Sequence, residues 1–295
     1  MDCVVIGGPA SNGLEDDLAE ELKAERVKLE HKLFPDGESY LRYPIDVKDK
    51  TVILVQSLYP PQDKHLIELL FASDAAKDLG ASKVVAVVPY LAYSRQDKRF
   101  REGEPISVKT VLKLMRCSGV DAVVTVDIHK EASLSHFGRE AVNLSAAEEL
   151  ARYFKGSLRD PLVLAPDEGA LRRAEAAARV LGCEHDYLEK RRDRVTGEVK
   201  LSPKEVSKVR GRDVLIIDDI ISTGGTIALA AKEALRLGAS KVVAACTHAL
   251  LAKGALERMR GAGVEEVVAA NTIPSPVSKV SVAKLLAGAV RELLG

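Results

Sequence analysis

Two adjacent carboxylates, Asp218 and Asp219, stand between an apolar run and a loop of small residues. The stretch is VLIIDDIISTGGTI, residues 214–227. An apolar run of this kind is typical of a buried strand, and in a parallel sheet ligands bind beyond the carboxyl ends of the strands. The two acids are therefore expected at a ligand-binding edge.

The loop that follows these acids has the composition of a phosphate site. It consists of Ser222, Thr223, Gly224, Gly225 and Thr226, and it opens a helical pattern. The free N–H groups and the dipole at the start of a helix attract anions, hydroxyl groups add donors, and glycines allow close approach of a ligand. The acids would repel a bare phosphate, but they can accept hydrogen bonds from sugar hydroxyls or anchor a metal-bound ligand. A phosphorylated ribose satisfies both halves of the motif, and an unliganded helix cap after a strand is the alternative.

Two basic segments offer further phosphate contacts. The first follows the apolar run 84–89 and contains Arg95, Lys98, Arg99 and Arg101. The second, LEKRRDRVTGEVK at 188–200, contains Lys190, Arg191, Arg192 and Arg194. Guanidinium groups bind phosphate oxygens through paired hydrogen bonds, and a basic loop that closes can stabilise the charge that develops in phosphoryl transfer. A solvated run of charges is the alternative for the first segment. The chain has no GxxxxGK[ST] loop, so a nucleotide must be held by other means.

A histidine and an aspartate end two other apolar runs. His129 follows AVVTVDI, and Asp167 follows LVLAP. Both are expected at the ligand edges of their sheets, where they could bind Mg²⁺ through water or substrate oxygens, although Mg²⁺ prefers oxygen ligands. A capping histidine and a turn aspartate are the alternative. Asp127 is a candidate partner for His129.

The elements that must position these residues alternate between strands and helices. Short β-branched runs such as TVILVQS and KVVAVVPY are separated by amphipathic helical patterns. Runs that are apolar on both faces are typical of parallel strands covered by helices. The predicted class is α/β, with mainly parallel sheets flanked by helices.

One α/β unit occurs twice along the chain. The eight residues LGASKVVA recur at 79–86 and 237–244, and in both places they follow a strand and a helix. Shared helix-cap chemistry is the alternative to duplication, but it does not readily give eight successive identities. We therefore expect two duplicated domains, 1–145 and 146–282, with a last helix at 283–295 that packs against the first. Only the second copy has the glycine loop.

Composition excludes several functional classes. Lys and Arg together number 43, as do Asp and Glu, so the chain has no overall charge that would indicate binding to nucleic acid or an anionic membrane. No run reaches the length of a membrane span. The four cysteines are widely spaced, which favours reduced thiols over disulfides or a zinc site. These features predict a cytoplasmic protein with no membrane or nucleic-acid partner.

Several stretches, in order and spacing, resemble the ribose-phosphate pyrophosphokinase family over nearly the whole chain. Besides IIDDIISTGGTI they are LFPDGESY, VQSLYPPQDKHLIELLFASDAAK, AVVPYLAYSRQDKRF, VDAVVTVDIHKEASLSHF, LAPDEGA and LEKRRDRVTGEV. Members of this family join two domains of phosphoribosyltransferase type. The resemblance implies transfer of the β,γ-diphosphoryl group of Mg²⁺-ATP to the C1 hydroxyl of ribose 5-phosphate, which gives AMP and 5-phosphoribosyl 1-diphosphate for nucleotide biosynthesis.

The resemblance also implies a role for each matching residue. ATP is contacted by Arg95 and Gln96 and, from a neighbouring subunit, by Asp36, Gly37 and Glu38. That arrangement implies self-association into at least a dimer. The implied metal sites are His129 and Asp167, and the implied catalytic residues are Lys190 and Arg192. Ribose 5-phosphate is bound by Arg192, Asp218, Asp219, Ser222, Thr223, Gly224, Gly225 and Thr226.

This chain departs from many bacterial members at a few positions. It has Asp193 and Val195 where those members carry a Pro-containing sequence, and Ser222 where they often have Asp. These differences bear on fine substrate contacts and on allosteric control. Two other functions stay open: a phosphoribosyltransferase that consumes the pyrophosphorylated sugar, and a non-catalytic regulatory homologue.

Overall fold

The computed structural model describes residues 3–192, 199–203 and 208–295, and for 190–192 and 199–203 it describes the backbone alone. The chain divides into two compact units, Met1–Leu144 with Val282–Gly295, and Ser145–Ser281. No helix in the described ranges is long and apolar enough to span a membrane. Cys3, Cys117, Cys183 and Cys246 are free thiols.

The first unit contains a six-stranded parallel sheet and a separate hairpin. Its strands are β1 (Cys3–Gly7), β2 (Glu25–Lys28), β3 (Glu30–Leu33), β4 (Ser39–Arg42), β5 (Thr51–Val55), β6 (Lys83–Val87), β7 (Ala122–Val126) and β8 (Ala141–Leu144). The sheet order is β2-β1-β5-β6-β7-β8, and β3 and β4 pair only with each other, antiparallel. The helices are α1 (Leu14–Leu22), α2 (Gln62–Asp78) and α3 (Ser107–Cys117), with a 3-10 turn at Glu131–His136.

The second unit is built on a seven-stranded sheet. Its strands are β9 (Pro161–Ala165), β10 (Glu184–Arg192), β11 (Val199–Pro203), β12 (Asp213–Ile221), β13 (Lys241–Ala249), β14 (Glu266–Ala270) and β15 (Ser278–Val280). Their order is β11-β10-β9-β12-β13-β14-β15, and only the β10–β11 pair is antiparallel. The helices are α4 (Ala147–Phe154), α5 (Leu171–Leu181), α6 (Gly225–Arg236) and α7 (Ala255–Gly261), with a 3-10 turn at Glu168–Ala170. The last helix, α8 (Ala283–Leu294), belongs to the first unit, where it contacts α1.

The central strands are buried on both faces, as their aliphatic sequences predict. In β5 the side chains of Val52, Ile53, Leu54 and Val55 are all 0 % exposed, and in β12 the same holds from Val214 to Ile217. Because successive side chains of a strand point to opposite faces, continuous burial requires cover on both sides of the sheet. The predicted α/β class with two mainly parallel sheets is confirmed.

The repeated LGASKVVA sequence makes the same turn in both units. Gly80 and Gly238 follow α2 and α6 with φ of +89° and +93°, a conformation that favours glycine. Gly80 accepts a hydrogen bond from the N–H of Asp49 at 2.9 Å, and Gly238 accepts one from the N–H of Gly211 at 2.8 Å. The sequence repeat is therefore also a structural repeat, β5-α2-β6 and β12-α6-β13.

Candidate active site

The order of strands in the second unit creates a crevice between β9 and β12. From β9 the chain goes to β10 on one side, and the next large parallel strand, β12, lies on the other side. A reversal of strand order of this kind leaves room for a ligand beyond the carboxyl ends of the two strands. Asp167 follows β9, and Asp218 and Asp219 lie near the end of β12. The topology thus brings these three acids to one edge of the sheet.

Asp218 and Asp219 form a crowded carboxylate pair. Asp219 is buried and Asp218 is half-buried. The N–H of Asp219 donates to Oδ1 of Asp218 at 2.8 Å, and the N–H of Ile220 donates to Oδ1 of Asp219 at 2.8 Å. Burial, and next the negative charge of Asp219, raise the pKa of the Asp218 carboxyl well above its ordinary value. A ligand that brings hydroxyl donors or a cation would relieve this crowding.

Arg173 is the positive group beside this pair, and sequence analysis did not single it out. Its Nη2 lies 3.6 Å from Oδ2 of Asp219, and both side chains are largely buried. The guanidinium opposes the rise in the pKa of Asp218, but its effect is smaller than those of burial and Asp219. Arg173 comes from α5, where LRRA looks like an ordinary helix surface, so only the packing of α5 beside β12 reveals it.

The glycine loop opens α6, as the sequence predicts. Gly224 is the N-cap with φ of +73°, and α6 runs on for 12 residues from Gly225. A Cβ atom at Gly224 would lie 2.9 Å from the carbonyl oxygen of Ala255 and 3.1 Å from Cγ of Met259. Glycine is therefore required both by the left-handed backbone and by the close packing of α7. Thr223, Gly225 and Thr226 are exposed, so the start of the helix faces solvent as an anion site must.

Helix α7 and the turn before it hold this loop from behind. The N–H of Ala252 donates to the carbonyl oxygen of Ser222 at 2.9 Å. Nη1 of Arg258 donates to the carbonyl oxygen of Thr223. These supporting contacts come from residues about 30 positions further along the chain, and no local sequence pattern announces them.

Asp167 lies on the β9 side of the same edge. It is half-buried, and its Oδ1 accepts a hydrogen bond from the N–H of Gly169 at 3.0 Å. This contact caps the 3-10 turn Glu168–Ala170. His129, which the resemblance paired with it, lies after β7 in the first unit and is half-buried. The structure therefore brings Asp167, and not His129, together with the β12 acids within one unit.

The residues predicted to contact ATP lie in the first unit. Asp36, Gly37 and Glu38 are exposed at the tip of the β3–β4 hairpin, where the N–H of Phe34 donates to the carbonyl oxygen of Glu38 at 2.8 Å. The N–H of Glu38 donates in turn to Oδ1 of Asp36 at 3.2 Å.

The other two predicted ATP contacts follow β6. Arg95 is exposed, and Gln96 is half-buried. Oε1 of Gln96 accepts from Oγ of Ser107 at 3.2 Å, which ties this segment to the start of α3.

The predicted catalytic residues fall at the edge of the described chain. Lys190 and Arg192 are in β10, where their backbones pair with Leu201 and Val199 of β11. Their side chains, and the departures at Asp193 and Val195, lie outside the described residues.

The donors at the β9–β12 edge fit Mg²⁺ held jointly with a substrate. Among the residues that the structure describes, no group of three or more His, Cys, Asp or Glu forms a metal-binding cluster. Mg²⁺ is usually bound through one or two carboxylates together with substrate phosphates, not in a cage made of protein alone. The crowded oxygens of Asp218 and Asp219, with Asp167 at the same edge, provide that kind of donor set.

In the first unit, the side chain of Gln56 occupies the sheet edge that corresponds to the β9–β12 edge of the second unit. There the strand order reverses between β1 and β5, and Gln56 follows β5 where Asp218 stands in the second copy. Oε1 of Gln56 accepts from the N–H of Ala10 at 2.8 Å, and its Nε2 donates to the carbonyl oxygen of His65 at 3.2 Å. A Cβ atom at Gly8 would lie 2.4 Å from that Oε1. The first unit therefore has an amide, bound to its own backbone, where the second has the acid pair.

Comparisons with known proteins agree with the two-unit structure. Residues 3–119 match the N-terminal domain of ribose phosphate pyrophosphokinase, and residues 141–280 match the phosphoribosyl transferase domain. The chain is 44% identical over 290 residues to the ribose-phosphate pyrophosphokinase of Sulfurisphaera tokodaii, covering 98% of this chain and 100% of that protein. It is 48% identical over 270 residues to that of Saccharolobus solfataricus, covering 92% and 93%. Among solved structures, phosphoribosylpyrophosphate synthetase from Mycobacterium smegmatis matches with a TM-score of 0.87 and 31% identity, covering 100% of this chain and 99% of that one.

Proposed function

Because the chain belongs to the ribose-phosphate pyrophosphokinase family, we propose that it transfers the diphosphoryl group of Mg²⁺-ATP to the C1 hydroxyl of ribose 5-phosphate. The products are AMP and 5-phosphoribosyl 1-diphosphate, the latter for nucleotide biosynthesis. In this account the first domain, 1–145 with the helix 283–295, serves ATP, and the second domain, 146–282, serves ribose 5-phosphate.

One observation carries the proposal for the sugar. A carboxylate pair, of which Asp219 is buried and Asp218 half-buried, and the exposed start of a helix lie on either side of a short loop at the β12 end. The 5-phosphate binds the N–H groups and hydroxyls of residues 222–226, where the helix dipole also favours negative charge. The ribose hydroxyls donate to Asp218 and Asp219, which are acceptors when ionised. The acceptors, Asp218 and Asp219, and the donors of residues 222–226 together suit a ligand that carries both hydroxyl groups and a phosphate, and a single small ion would use only one of the two sets.

The chain's own cations would stabilise the transferring group. Lys190 and Arg192 end β10, and Arg95 follows β6. Phosphoryl transfer needs little covalent chemistry from the protein, so positioning and charge stabilisation supply most of the rate. Mg²⁺, when bound, neutralises phosphate charge. The residues proposed to hold metal are Asp167 in the second unit, with support from Asp219, and His129 in the first unit. Gln96 orients the nucleotide next to Arg95.

We also propose that the protein self-associates and that the hairpin tip serves a neighbouring copy. Asp36, Gly37 and Glu38 are exposed at the end of the hairpin, and an apolar groove runs between β4 and α2. That groove is lined in part by Phe34, Phe71 and Leu79, of which Phe71 is 53% exposed and Leu79 is 49% exposed. Contiguous exposed apolar surface of this kind favours association.

One assay separates this function from the two alternatives. Purified protein is incubated either with Mg²⁺-ATP and ribose 5-phosphate or with 5-phosphoribosyl 1-diphosphate, each with and without a nucleobase, and AMP and pyrophosphate are measured. The proposal predicts AMP formation that needs ribose 5-phosphate and no base. Pyrophosphate release from 5-phosphoribosyl 1-diphosphate that depends on an added base would identify a phosphoribosyltransferase, and the absence of both products would identify a regulatory homologue.

A further inference from the structure

Glu68 is a fully buried carboxylate in a helix that has no direct part in the site described above. It lies on α2 with 0% of its side chain exposed. Burial of an ionised carboxylate is costly unless it is paired and hydrogen-bonded, and an apolar residue on this helix face would avoid that cost. A carboxylate at this position therefore calls for an explanation in terms of what it binds.

The groups that Glu68 binds come mainly from the β3–β4 hairpin. Its Oε1 accepts a hydrogen bond from Oγ of Ser39 in β4 at 2.8 Å. Nε2 of His31 in β3 lies 3.0 Å from the same oxygen. Lys64, one turn earlier on α2, lies 3.3 Å from it and supplies positive charge. One oxygen atom thus contacts both strands of the hairpin.

The other oxygen of this carboxylate makes no such contacts. Oε2 of Glu68 is buried, and it has no hydrogen-bond partner among the residues that the structure describes. All the polar contacts of the carboxylate are therefore concentrated on the side that faces the hairpin and Lys64. An unsatisfied buried oxygen costs stability, so the contacts of Oε1 with the hairpin and Lys64 are the ones that compensate for burying this carboxylate.

The hairpin needs such a hold because its own packing is limited. All four residues of β3, Glu30–Leu33, are exposed. In the described structure β3 and β4 form a two-stranded sheet of their own, separate from the six-stranded sheet. A two-stranded hairpin is marginally stable in water by itself. Tyr43, just after β4, gives a second attachment, since its OH donates to the carbonyl oxygen of Ala72 in α2 at 2.8 Å. Ser39 lies directly after Glu38, so the Glu68 contact is the one next to the tip.

We propose that Glu68 is a positioning residue for nucleotide binding. Through its contacts with Ser39 and His31 it holds the hairpin against α2 and thereby fixes the orientation of the tip 36–38. This inference rests on the proposed role of the tip in binding ATP. Glu68 does not touch the nucleotide, and its effect reaches ATP only through the orientation of the tip. It therefore acts on the KM for ATP and leaves the ribose 5-phosphate site of the second unit unchanged.

The test compares Ser39→Ala and Glu68→Gln with the unmodified protein in full kinetics for both substrates. Ser39→Ala removes the hydrogen bond to Glu68, and Glu68→Gln removes the negative charge that strengthens it and that attracts His31 and Lys64. We expect a rise in the KM for ATP of about fivefold or more in each variant. The expected kcat and the expected KM for ribose 5-phosphate stay within about twofold, because neither the transferring group nor the second unit is altered. Thermal unfolding of both variants shows that they are folded, and Ser39→Ala, which removes only a hydroxyl, keeps the test informative if Glu68→Gln does not fold.

Glu30→Gln is the matched control on the same hairpin. Glu30 binds Arg42 across the strands, with Nε of Arg42 donating to Oε2 at 2.6 Å, but it makes no described contact with α2. The KM for ATP of the Glu30→Gln variant should equal that of the unmodified protein. A rise as large as that of Ser39→Ala would show that any damage to the hairpin has the same effect, and it would overturn the role of Glu68.

A second pair of variants separates this inference from the function on which it rests. Asp36→Ala and Glu38→Ala alter the tip itself. If they raise the KM for ATP while Ser39→Ala and Glu68→Gln do not, the positioning role is wrong and the role of the tip stands. If they leave the KM for ATP unchanged, the role of the tip is wrong and the inference fails with it.

Discussion

At the scale of single residues, the free protein holds Asp218 in an unfavourable state. Its carboxyl is packed beside Asp219, and Arg173, a cation that opposes their mutual repulsion, has its Nη2 atom 3.6 Å from Oδ2 of Asp219. Strain of this kind is stored where a ligand will relieve it, and it costs stability until the ligand binds. In the proposed function that ligand is the hydroxyl-bearing sugar with its metal.

Replacement of Asp218 by Asn should therefore stabilise the folded protein and weaken its binding of ribose 5-phosphate. The pKa of Asp218 is higher in the folded protein than in the unfolded chain. The protein is therefore most stable below the pKa of Asp218 in the unfolded chain, and it loses stability as pH rises from there through the pKa in the folded protein. Asn cannot ionise, so the gain in Tm over the unmodified protein should grow as pH rises. At pH 8 we expect about 1 kcal/mol, or ~2–4 °C in Tm.

The measurement is thermal unfolding at several pH values, together with the KM for ribose 5-phosphate. We expect that KM to rise about tenfold, because charge-assisted hydrogen bonds from the sugar are weakened. Identical Tm values for both proteins at every pH would contradict the strain assigned to Asp218.

Lys190 is the residue on which the proposed rate enhancement depends most. Lys190→Ala should lower kcat by about 10²-fold or more, as loss of one preorganised charge-stabilising donor does in other enzymes. Its Tm should be unchanged. Near-normal turnover at saturating ATP and ribose 5-phosphate would remove Lys190 from the mechanism.

At the scale of elements, the same strand-helix-strand repeat serves two purposes. In the first copy Gln56 binds the backbone of its own unit at the strand end, whereas in the second copy that edge carries the acids and the glycine loop, where we propose that the sugar phosphate binds. The repeat could be predicted because the sequence LGASKVVA places the same left-handed glycine at 80 and 238. The strands could be predicted because aliphatic runs such as VLII are buried on both faces.

Other contacts at the site could not be predicted because they join distant parts of the chain. Arg173 reaches Asp219 across 46 positions of sequence, from a helix whose letters are those of any solvent-facing surface. Arg258 supports Thr223 from α7, and no spacing rule relates these two residues. Side-chain pairing between elements is set by packing, on which the local periodicity of a sequence carries no information.

Gly224→Ala tests whether α7 fixes the shape of the loop. A methyl group there would meet Ala255 and Met259 closely, in a backbone conformation that L-residues seldom adopt. We expect a loss of about 2 kcal/mol in the free energy of unfolding and a clear loss of ribose 5-phosphate binding. Gly254→Ala is a useful comparison, since it also has positive φ, +79°, but a Cβ atom there meets nothing within 4 Å. Gly254→Ala should lower the free energy of unfolding by less than Gly224→Ala does. Equal losses for the two variants would show that backbone conformation alone, and not contact with α7, decides the effect.

At the scale of the whole molecule, self-association is a condition of the proposed function. The tip residues 36–38 are exposed in this chain, and the groove between β4 and α2 is apolar. A protein that uses a neighbour's hairpin should lose activity together with assembly, and its specific activity should fall on dilution.

Phe71→Glu tests this coupling. Phe71 is 53% exposed, so the charge should not disturb the fold of one copy, but it should oppose burial of the groove against another. We expect a lower mass by light scattering and a specific activity reduced about tenfold or more, with Tm affected only through the loss of assembly. Leu114→Glu, at a residue of α3 that is 44% exposed, is the matched control and should behave like the unmodified protein. Unchanged mass and activity for Phe71→Glu would exclude this groove as the association surface.

A crystal structure of the protein with ribose 5-phosphate bound would test the proposed sugar site directly. We expect the phosphate against the N–H groups and hydroxyls of residues 222–226, and the ribose hydroxyls within hydrogen-bond distance of Asp218 and Asp219. A structure in which the sugar phosphate lies elsewhere and these residues contact no ligand would contradict it.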